Sequence, residues 1–231
     1  MGERQVTFTR FPEQTLSFLR DLRANNTTEW FRAHARDYES FCLAPAKEFV
    51  KAAGPEIQSF IPGIRAEPRV LGSIFRINRD IRFARDQPYK DHLDFWFWEG
   101  ERKAAVSGLF ARVSPDSLGI GGGCHGFDKE RLAVFRQAVG DPQAGKLLDQ
   151  AAGSLESKGY TLQGKALKRM PKGYAENGAA SRFLLFNALY VHVDLPAETA
   201  TRDGAMLSAC LKHWRELVPL HRWITEHVQH Q

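Results

Sequence analysis

The sequence predicts an α+β fold in one domain, with a helical N-terminal quarter, a central and mostly antiparallel sheet, and helices flanking the sheet and at the C-terminus. Three observations lead to this prediction. Apolar residues recur at helical spacing near the start, short apolar runs separated by turn residues fill the middle, and helical spacing returns towards the end. The 231 residues contain no internal repeat or linker-like composition break, so we expect a single domain over 1–231.

The N-terminal quarter contains three predicted helices. Pro12 suits the first helical position, and leucines follow it at helical spacing. Thr27 or Thr28 is placed to cap the second helix, because a hydroxyl oxygen accepts from an unpaired N–H of the first turn. A third helix is expected from about Pro45 to Phe60.

The middle of the chain predicts strands. Val70–Ile77 is apolar on both alternating faces, which is typical of a buried strand, and Phe95–Trp98 and Ala104–Val113 follow. The short turn at Glu99–Gly100 favours antiparallel pairing of the last two, since parallel strands need a long crossover. We interpret Gly121–Gly123 as a sharp strand-to-helix connection. The alternative, a phosphate-cradling loop, lacks the residues that complete a P-loop or dinucleotide fingerprint.

Helices are predicted again after the strands. Asp128 has the chemistry of an N-cap, and Pro142 is placed to begin a second helix of this pair. The final helical region, from Leu207 to Val228, carries its apolar residues near one face and contains Pro219, which is expected to divide or kink it.

Composition narrows the classes of protein. No apolar run approaches the length of about 20 residues that a membrane span needs, and the first residues lack the apolar core of a signal peptide. The three cysteines are widely spaced, which argues against a disulfide framework and for a reducing compartment. The eight histidines show no ligand spacing, so no metal site is predicted. We therefore expect a cytoplasmic protein that does not partner a membrane.

The net charge of +5 is concentrated in two short segments. Residues 76–90 carry a net +3 and residues 165–174 a net +4, so the rest of the chain carries a net −2. The positive charge is thus local and is not a general property of the surface. Such a concentration favours binding of an anionic partner at these segments.

These two segments supply the candidate ligand-binding residues. Arginine presents a planar donor fork to oxygen pairs, and lysine and tyrosine add further donors. Gly173 would let backbone N–H groups of the second segment approach an anion closely. The hypothesis requires both segments to converge on one pocket. The predicted ligand-binding residues are Arg76, Arg79, Arg82, Lys90, Lys168, Arg169, Lys172 and Tyr174.

Whether the protein is an enzyme stays open from sequence alone. An enzymatic version, with hydrolase or transferase chemistry, would use Asp80 or Asp86 as general acid or base and Tyr89 or Tyr174 as an oxygen-orienting donor. The adjacent pair Cys124–His125 is disfavoured as a nucleophile and base, because neighbouring residues rarely aim at each other and no orienting third group is evident.

Three blocks of sequence carry a resemblance to a known family. They are FLRDLRANNTTEWFRAHARDYE, then RINRDIRFARDQPYKDHLDFWF, then LKRMPKGY followed by LLFNALY. In this order they resemble the bacterial and fungal proteins catalogued as domain of unknown function 2461. The resemblance implies a single cytosolic domain and brings no reaction, substrate or cofactor with it. The family pattern often has lysine where Gln87 stands here, which removes one positive charge from the candidate site.

The sequence therefore leads to one functional expectation and two alternatives. The expectation is recognition of a small phosphate- or carboxylate-bearing ligand by an Arg/Lys/Tyr-lined pocket, and no cofactor can be named. The first alternative is a nucleic-acid-binding module, although no nucleic-acid motif is visible. The second is a scaffold or protein-interaction domain, in which pairs such as Arg79–Asp80 and Arg85–Asp86 hold a long loop on the sheet.

Overall fold

A computed structural model describes residues 8–80, 86–102, 107–174 and 178–229. It confirms the predicted α+β fold, with a helical N-terminal quarter, a six-stranded antiparallel sheet and a long C-terminal helix. The predicted ligand residue Arg82 and the first part of the predicted strand Ala104–Val113 lie outside the described residues.

The chain contains α-helices and a few short turns of π- or 3₁₀-helix. The α-helices are α1 (Glu13–Ala24), α2 (Thr28–Ala33), α3 (Ala35–Asp37), α4 (Ala44–Gln58), α5 (Lys129–Gly140), α6 (Pro142–Ser157) and α7 (Ala205–Ile224). Tyr38–Leu43 and Thr225–Gln229 form π-helical turns, and Ala179–Leu185 and Ala197–Ala200 form 3₁₀ turns.

One sheet contains all the named strands. They are β1 (Ile64–Arg65), β2 (Leu93–Glu99), β3 (Gly108–Val113), β4 (Ser117–Cys124), β5 (Leu162–Lys165) and β6 (Phe186–Pro196). Their order across the sheet is β1-β2-β3-β4-β6-β5. The pairing of β5 with β6 places Leu162 opposite Val191 and shifts register between Gln163 and Lys165.

The chain divides into two compact units whose segments alternate along the sequence. The first comprises Met1–Phe97, Phe110–Ile120 and Asp194–Lys212, and the second comprises Trp98–Leu109, Gly121–Val193 and His213–Gln231. The extent of the predicted single domain, 1–231, stays a prediction.

The core of the first unit is rich in phenylalanine. Phe11, Phe49 and Phe95 are almost fully buried, and the rings of Phe49 and Phe95 meet edge to face with centroids 5.0 Å apart. Edge-to-face contact suits the ring quadrupole and adds to the free energy gained by burial. Phe95 belongs to the buried face of β2, where Leu93, Phe95 and Phe97 alternate with less buried residues.

The core of the second unit forms around α5, α6 and the end of α7. Phe135 and Trp223 are buried and meet edge to face, with ring centroids 5.9 Å apart. The indole Nε1 of Trp223 donates to the carbonyl of Ala144 at 2.8 Å. That hydrogen bond removes the cost of burying an unpaired indole N–H.

Most predicted helix boundaries are confirmed because they depend on local chemistry. The Thr27 side chain accepts from Trp30 N at the start of α2, and Asp128 accepts from Arg131 N at the start of α5. Pro142 begins α6 as predicted. Pro219, however, lies within α7, which continues to Ile224 and is not divided there.

The strand predicted over Val70–Ile77 is wrong. Leu71 has a φ of 64° and its N–H bonds to Ile74 O, so the chain turns back on itself here. Gly72 occupies a position where a Cβ would lie 2.9 Å from Glu67 O. Only a short stretch then pairs with β2, through Phe75 N to Asp94 O and Trp96 N to Ser73 O.

The interpretation of Gly121–Gly123 as a strand-to-helix connection is also wrong, because these glycines lie inside β4. A Cβ on Gly122 would lie 3.0 Å from Leu109 Cδ2, and one on Gly123 would lie 2.3 Å from Leu189 O. The run therefore lets neighbouring groups of the second unit approach the strand closely.

Candidate functional site

The first basic segment forms a narrow two-stranded ribbon at its described ends. Asn78 and Tyr89 form an antiparallel bridge, Arg79 N donates to Pro88 O, and Lys90 N donates to Ile77 O, both at 2.8 Å. This pairing brings the residues before and after position 81–85 side by side.

Asn26 holds this ribbon against the junction of α1 and α2. Its Nδ2 donates to Tyr89 O at 2.9 Å, and its Oδ1 accepts from Tyr89 N at 3.0 Å. Arg79 Nε donates to the same Tyr89 carbonyl at 2.9 Å. The Tyr89 ring is only 6% exposed and stacks on Phe31 with centroids 4.1 Å apart. Tyr89 thus has a packing role, and its catalytic role stays a prediction.

A charged cluster follows directly on the ribbon, and we call it the aspartate cluster. At its centre, His92 lies between two carboxylates, with Nδ1 3.0 Å from Asp91 Oδ1 and Nε2 3.3 Å from Asp94 Oδ2. Its other members supply cations and one further carboxylate. The aspartate cluster comprises Arg23, Arg79, Lys90, Asp91, His92, Asp94, Arg112 and Asp116.

Asp94 is the most enclosed carboxylate of the cluster. Arg112 Nε donates to its Oδ1 at 2.7 Å and Lys90 Nζ to its Oδ2 at 3.1 Å. Burial raises the pKa of the Asp94 carboxyl, but His92 and Arg112 outweigh burial, so its pKa lies well below the usual value. Lys90 Nζ also lies 5.0 Å from the centroid of the exposed Phe75 ring.

Arg23 connects the cluster to the end of α1. Its Nε donates to Asp91 at 2.6 Å, and its two terminal nitrogens donate to Asp116 at 3.1 and 2.7 Å. Burial raises the pKa of the Asp91 carboxyl, but the hydrogen bonds with His92 and Arg23 lower it by more. The pKa of Asp91 therefore lies below its usual value. Arg79 contributes a more distant charge, with its terminal nitrogen 3.7 Å from Asp91.

The less buried face of the sheet supplies apolar surface beside this charge. Trp96 follows Asp94 by two residues on β2, and Phe110 precedes Arg112 by two on β3, so alternation places these aromatics on the face of the Asp94–Arg112 pair. Trp96 and Phe110 are each partly exposed. Cationic donors and aromatic rings therefore share one face.

The predicted site residues of the first segment differ in whether their side chains have partners within the described part of the protein. Arg79 and Lys90 have partners within the protein, as described above. Arg76 and Asp86 are exposed and make no hydrogen bond or ion pair within the described part of the chain. Asp80 is partly buried and engaged in an interaction of its own.

The second basic segment leaves the sheet after β5. The backbone N–H groups of Ala166 and Leu167 both donate to Leu185 O at 2.9 Å, which ties the start of this loop to the chain before β6. Several of its side chains are exposed: Tyr174 is 37% exposed, and the exposed cations make no ion pair with any described residue. The exposed cations are Lys165, Lys168, Arg169 and Lys172.

The convergence of the two segments stays a prediction. Residues 76–90 belong to the first unit and residues 165–174 to the second.

Other reactive groups are enclosed. The free cysteines Cys42, Cys124 and Cys210 are all buried. Burial raises the pKa of the Cys124 thiol to about 11, so this thiol is protonated near neutral pH and is a poor nucleophile. His125 beside it packs its ring against Tyr190, with centroids 4.1 Å apart.

A serine–histidine–glutamate chain lies in the second unit. Ser107 Oγ lies 2.9 Å from His221 Nδ1, and His221 Nε2 lies 2.9 Å from Glu99 Oε2. These atoms have the order of a catalytic triad, but Ser107 is fully buried and cannot meet a substrate. The chain therefore satisfies buried polar groups, and the separation of 114 residues between Ser107 and His221 gave no sequence signal.

Two general features bear on the class of protein. No set of three or more His, Cys, Asp or Glu side chains in the described ranges is arranged to hold a metal ion. The helices of the described residues include none that is long and apolar enough to cross a membrane.

The fold and the aspartate cluster together define an α+β protein with a cation-rich patch on its sheet. A family model described as conserved hypothetical protein (DUF2461) matches residues 14–223, so the chain belongs to this family. Comparison with the curated proteins and with the solved structures found no match.

Proposed function

We propose that the protein binds a small ligand bearing a carboxylate or phosphate group at the aspartate cluster. The observation that carries this proposal is the state of Arg112. Its Nε is held by Asp94, its side chain is 47% exposed, and its terminal nitrogens have no partner among the described residues. A guanidinium fixed through Nε and open at its outer edge is pre-organised to take an oxygen pair.

The charge balance of the cluster also supports an anionic ligand. Permanent cations outnumber the carboxylates that they contact by four to three, before His92 is counted. Arg76, which follows Phe75 directly, adds an exposed cation from the same unit. The excess of positive charge attracts anions, while the paired aspartates hold the cations in place.

The apolar surface beside the cations favours a ligand with a carbon body. Trp96 and Phe110 lie on the face of Arg112, and Phe75 is 37% exposed beneath Lys90. Binding sites for small ligands combine apolar and aromatic walls with a few convergent polar groups. An aromatic or aliphatic carboxylate or phosphate ester therefore suits the patch better than a bare inorganic ion.

A nucleic-acid contact is a second candidate, and a separate observation favours it. The loop of residues 165–174 in the second unit presents exposed cations that pair with no acidic side chain of the described residues, and the partly exposed ring of Tyr174. Lysine and arginine neutralise phosphates, and aromatic rings stack on bases. If four cations contact four phosphates, the binding constant for single strands should fall with salt with a log–log slope of about −3. A flat salt dependence would exclude this candidate.

A thermal-shift panel tests the main proposal. The panel contains inorganic phosphate, benzoate, phenyl phosphate, and benzyl alcohol as the neutral analogue. A ligand at 100 times its dissociation constant stabilises the folded state by about 2.7 kcal/mol, which amounts to several degrees for a protein of this size. We expect phenyl phosphate or benzoate to raise Tm, and benzyl alcohol not to.

Variants locate the response. Arg112→Gln should remove the shift, while Arg10→Gln, which removes an exposed arginine elsewhere in the first unit, should retain it. A panel without any shift, or equal shifts in both variants, would contradict the proposed site. The scaffold alternative predicts a flat panel together with a large loss of stability when Arg79 is truncated.

A further inference from the structure

A recess lies in the first unit, where the junction of α1 and α2 faces the end of the ribbon. It has a volume of about 460 Å³, within the range of about 300–1,000 Å³ typical of small-ligand sites. Both chain segments that line it belong to the first unit. Its lining includes Arg23, Asn25, Asn26, Trp30, Asp86 and Gln87.

Most of the donors in this recess are already used. Arg23 gives Nε to Asp91 and both terminal nitrogens to Asp116. The side-chain amide of Asn26 makes hydrogen bonds to the Tyr89 backbone, and Asn25 Nδ2 donates to Asp21 O at 3.0 Å. An anion in the recess could bind the donors of Arg23, Asn25 or Asn26 only by breaking these bonds, so the recess suits the ligand proposed for the aspartate cluster less well than Arg112 does.

The acceptor side of the recess is open. Asp86 is exposed and has no hydrogen bond or ion pair with any described residue, although it lines the recess. Arg23 is paired with Asp91 and Asp116, whereas Asp86 is the carboxylate of the lining that no described residue pairs. The side-chain oxygen of Asn25 adds a neutral acceptor, because only its nitrogen is used by Asp21.

Trp30 gives the recess an aromatic wall whose position is fixed. Its ring stacks on His34 with centroids 4.1 Å apart and planes 18° apart, and it also meets Phe18 at 5.5 Å. His34 Nδ1 lies 2.8 Å from Trp30 O, which holds the stack in place. An indole that lines the same recess as a carboxylate without a partner among the described residues is an arrangement that attracts organic cations, through the ring quadrupole and the charge together.

We propose that this recess binds a small organic cation, a primary amine or guanidinium, with Asp86 as the charge partner and Trp30 as the apolar and cation–π wall. A divalent metal ion is a poorer occupant, because one carboxylate and neutral oxygens fall short of the ligand set that such ions take. This inference does not depend on the anion site at Arg112.

Titration calorimetry with agmatine tests the inference, and 1-butanol serves as the neutral probe. Agmatine carries both a primary amine and a guanidinium on a short chain, which matches the proposed chemistry. Loss of a charged hydrogen bond typically weakens binding about tenfold or more, so Asp86→Asn should raise the agmatine Kd by that factor. Trp30→Leu should raise it about three- to fivefold. Gln87→Glu, which adds a second carboxylate to the lining, should lower it.

Matched controls separate this site from the rest of the molecule. Glu56→Gln removes an exposed carboxylate of α4 that makes no ion pair with a described residue, and it should leave the agmatine Kd unchanged. Arg112→Gln should also leave it unchanged, which distinguishes failure here from failure of the anion site. The inference is overturned if agmatine does not bind at millimolar concentration, if folded Asp86→Asn binds as the wild type does, or if 1-butanol binds equally well.

Discussion

The side-chain amide of Asn26 makes both of its hydrogen bonds to the backbone of Tyr89, donating to O at 2.9 Å and accepting from N at 3.0 Å. It thus takes the place of a neighbouring strand for one residue of the ribbon. Through this bond the α1–α2 junction fixes the chain that enters the aspartate cluster one residue later.

Replacing Asn26 should therefore destabilise the first unit. Asn26→Ala leaves a partly buried N–H and C=O of Tyr89 without this partner, and we expect a loss of about 2 kcal/mol in the free energy of unfolding. Asn25→Ala is the control, because Asn25 is exposed and makes one side-chain bond, to Asp21 O. Urea unfolding of both variants measures the difference, and equal losses would contradict the role given to the Asn26 hydrogen bonds.

The lowered pKa of Asp94 predicts the acid dependence of stability. In the unfolded chain the pKa of the Asp94 carboxyl is about 3.9, above its pKa in the folded protein. The unfolded chain therefore binds the proton first as pH falls. Asp94 therefore stabilises the protein fully above that pH, and its contribution is lost as pH falls towards the folded pKa. Asp94→Asn should be less stable at neutral pH and should lose less stability between about pH 4 and pH 2. Urea unfolding across this range, with Glu56→Gln as the control, measures it. An acid limb as steep as the wild-type limb would contradict the role given to Asp94.

Gly123 should tolerate no side chain. Its φ is +117°, and a Cβ would lie 2.3 Å from Leu189 O, so both the backbone conformation and the space oppose alanine. Gly123→Ala should cost about 3 kcal/mol or more. At Gly126 a Cβ would meet nothing within 4 Å, and Gly126→Ala should have little effect. Thermal unfolding distinguishes them, and a stable Gly123→Ala would argue against the close approach of β4 and β6.

Ser107 should behave as a buried partner of His221 and not as a nucleophile. Ser107→Ala leaves His221 Nδ1 without its hydrogen bond, and we expect a loss of about 1–3 kcal/mol in unfolding free energy. Ser154→Ala, on the exposed side of α6, is the control. A fluorophosphonate probe should leave Ser107 unlabelled in the folded protein. Labelling detected at Ser107 by mass spectrometry would show that the serine is accessible and reactive.

Sequence reasoning succeeded where the determining contacts are local. Thr27, Asp128 and Pro142 act on N–H groups one turn away, so their helices were predictable from neighbouring letters. Gly122 lies inside β4, packed against Leu109 and Leu217, which are distant in sequence. The run of glycines by itself therefore indicated a strand-to-helix connection and not a strand. The prediction of a strand at residues 70–77 was wrong because the apolar pattern does not reveal the turn at Leu71.

The candidate site was predicted in part for the same reason. Charge density drew attention to residues 76–90 but could not separate cations that are held, such as Arg79, from cations that are exposed, such as Arg76. The pair Asp94–Arg112 was missed, since it joins residues 18 apart across two strands. Alternation along β2 and β3 was the available signal, because it puts a charged residue two positions from an aromatic one on each strand.

The most direct test of the central claim is the affinity of phenyl phosphate for the wild type, Arg112→Gln and Arg10→Gln, measured by calorimetry at one salt concentration. We expect binding by the wild type and by Arg10→Gln with similar Kd, and a Kd at least about tenfold higher for Arg112→Gln, since a bidentate charged contact is lost. Equal Kd values for a folded Arg112→Gln and the wild type would contradict anion recognition at the aspartate cluster.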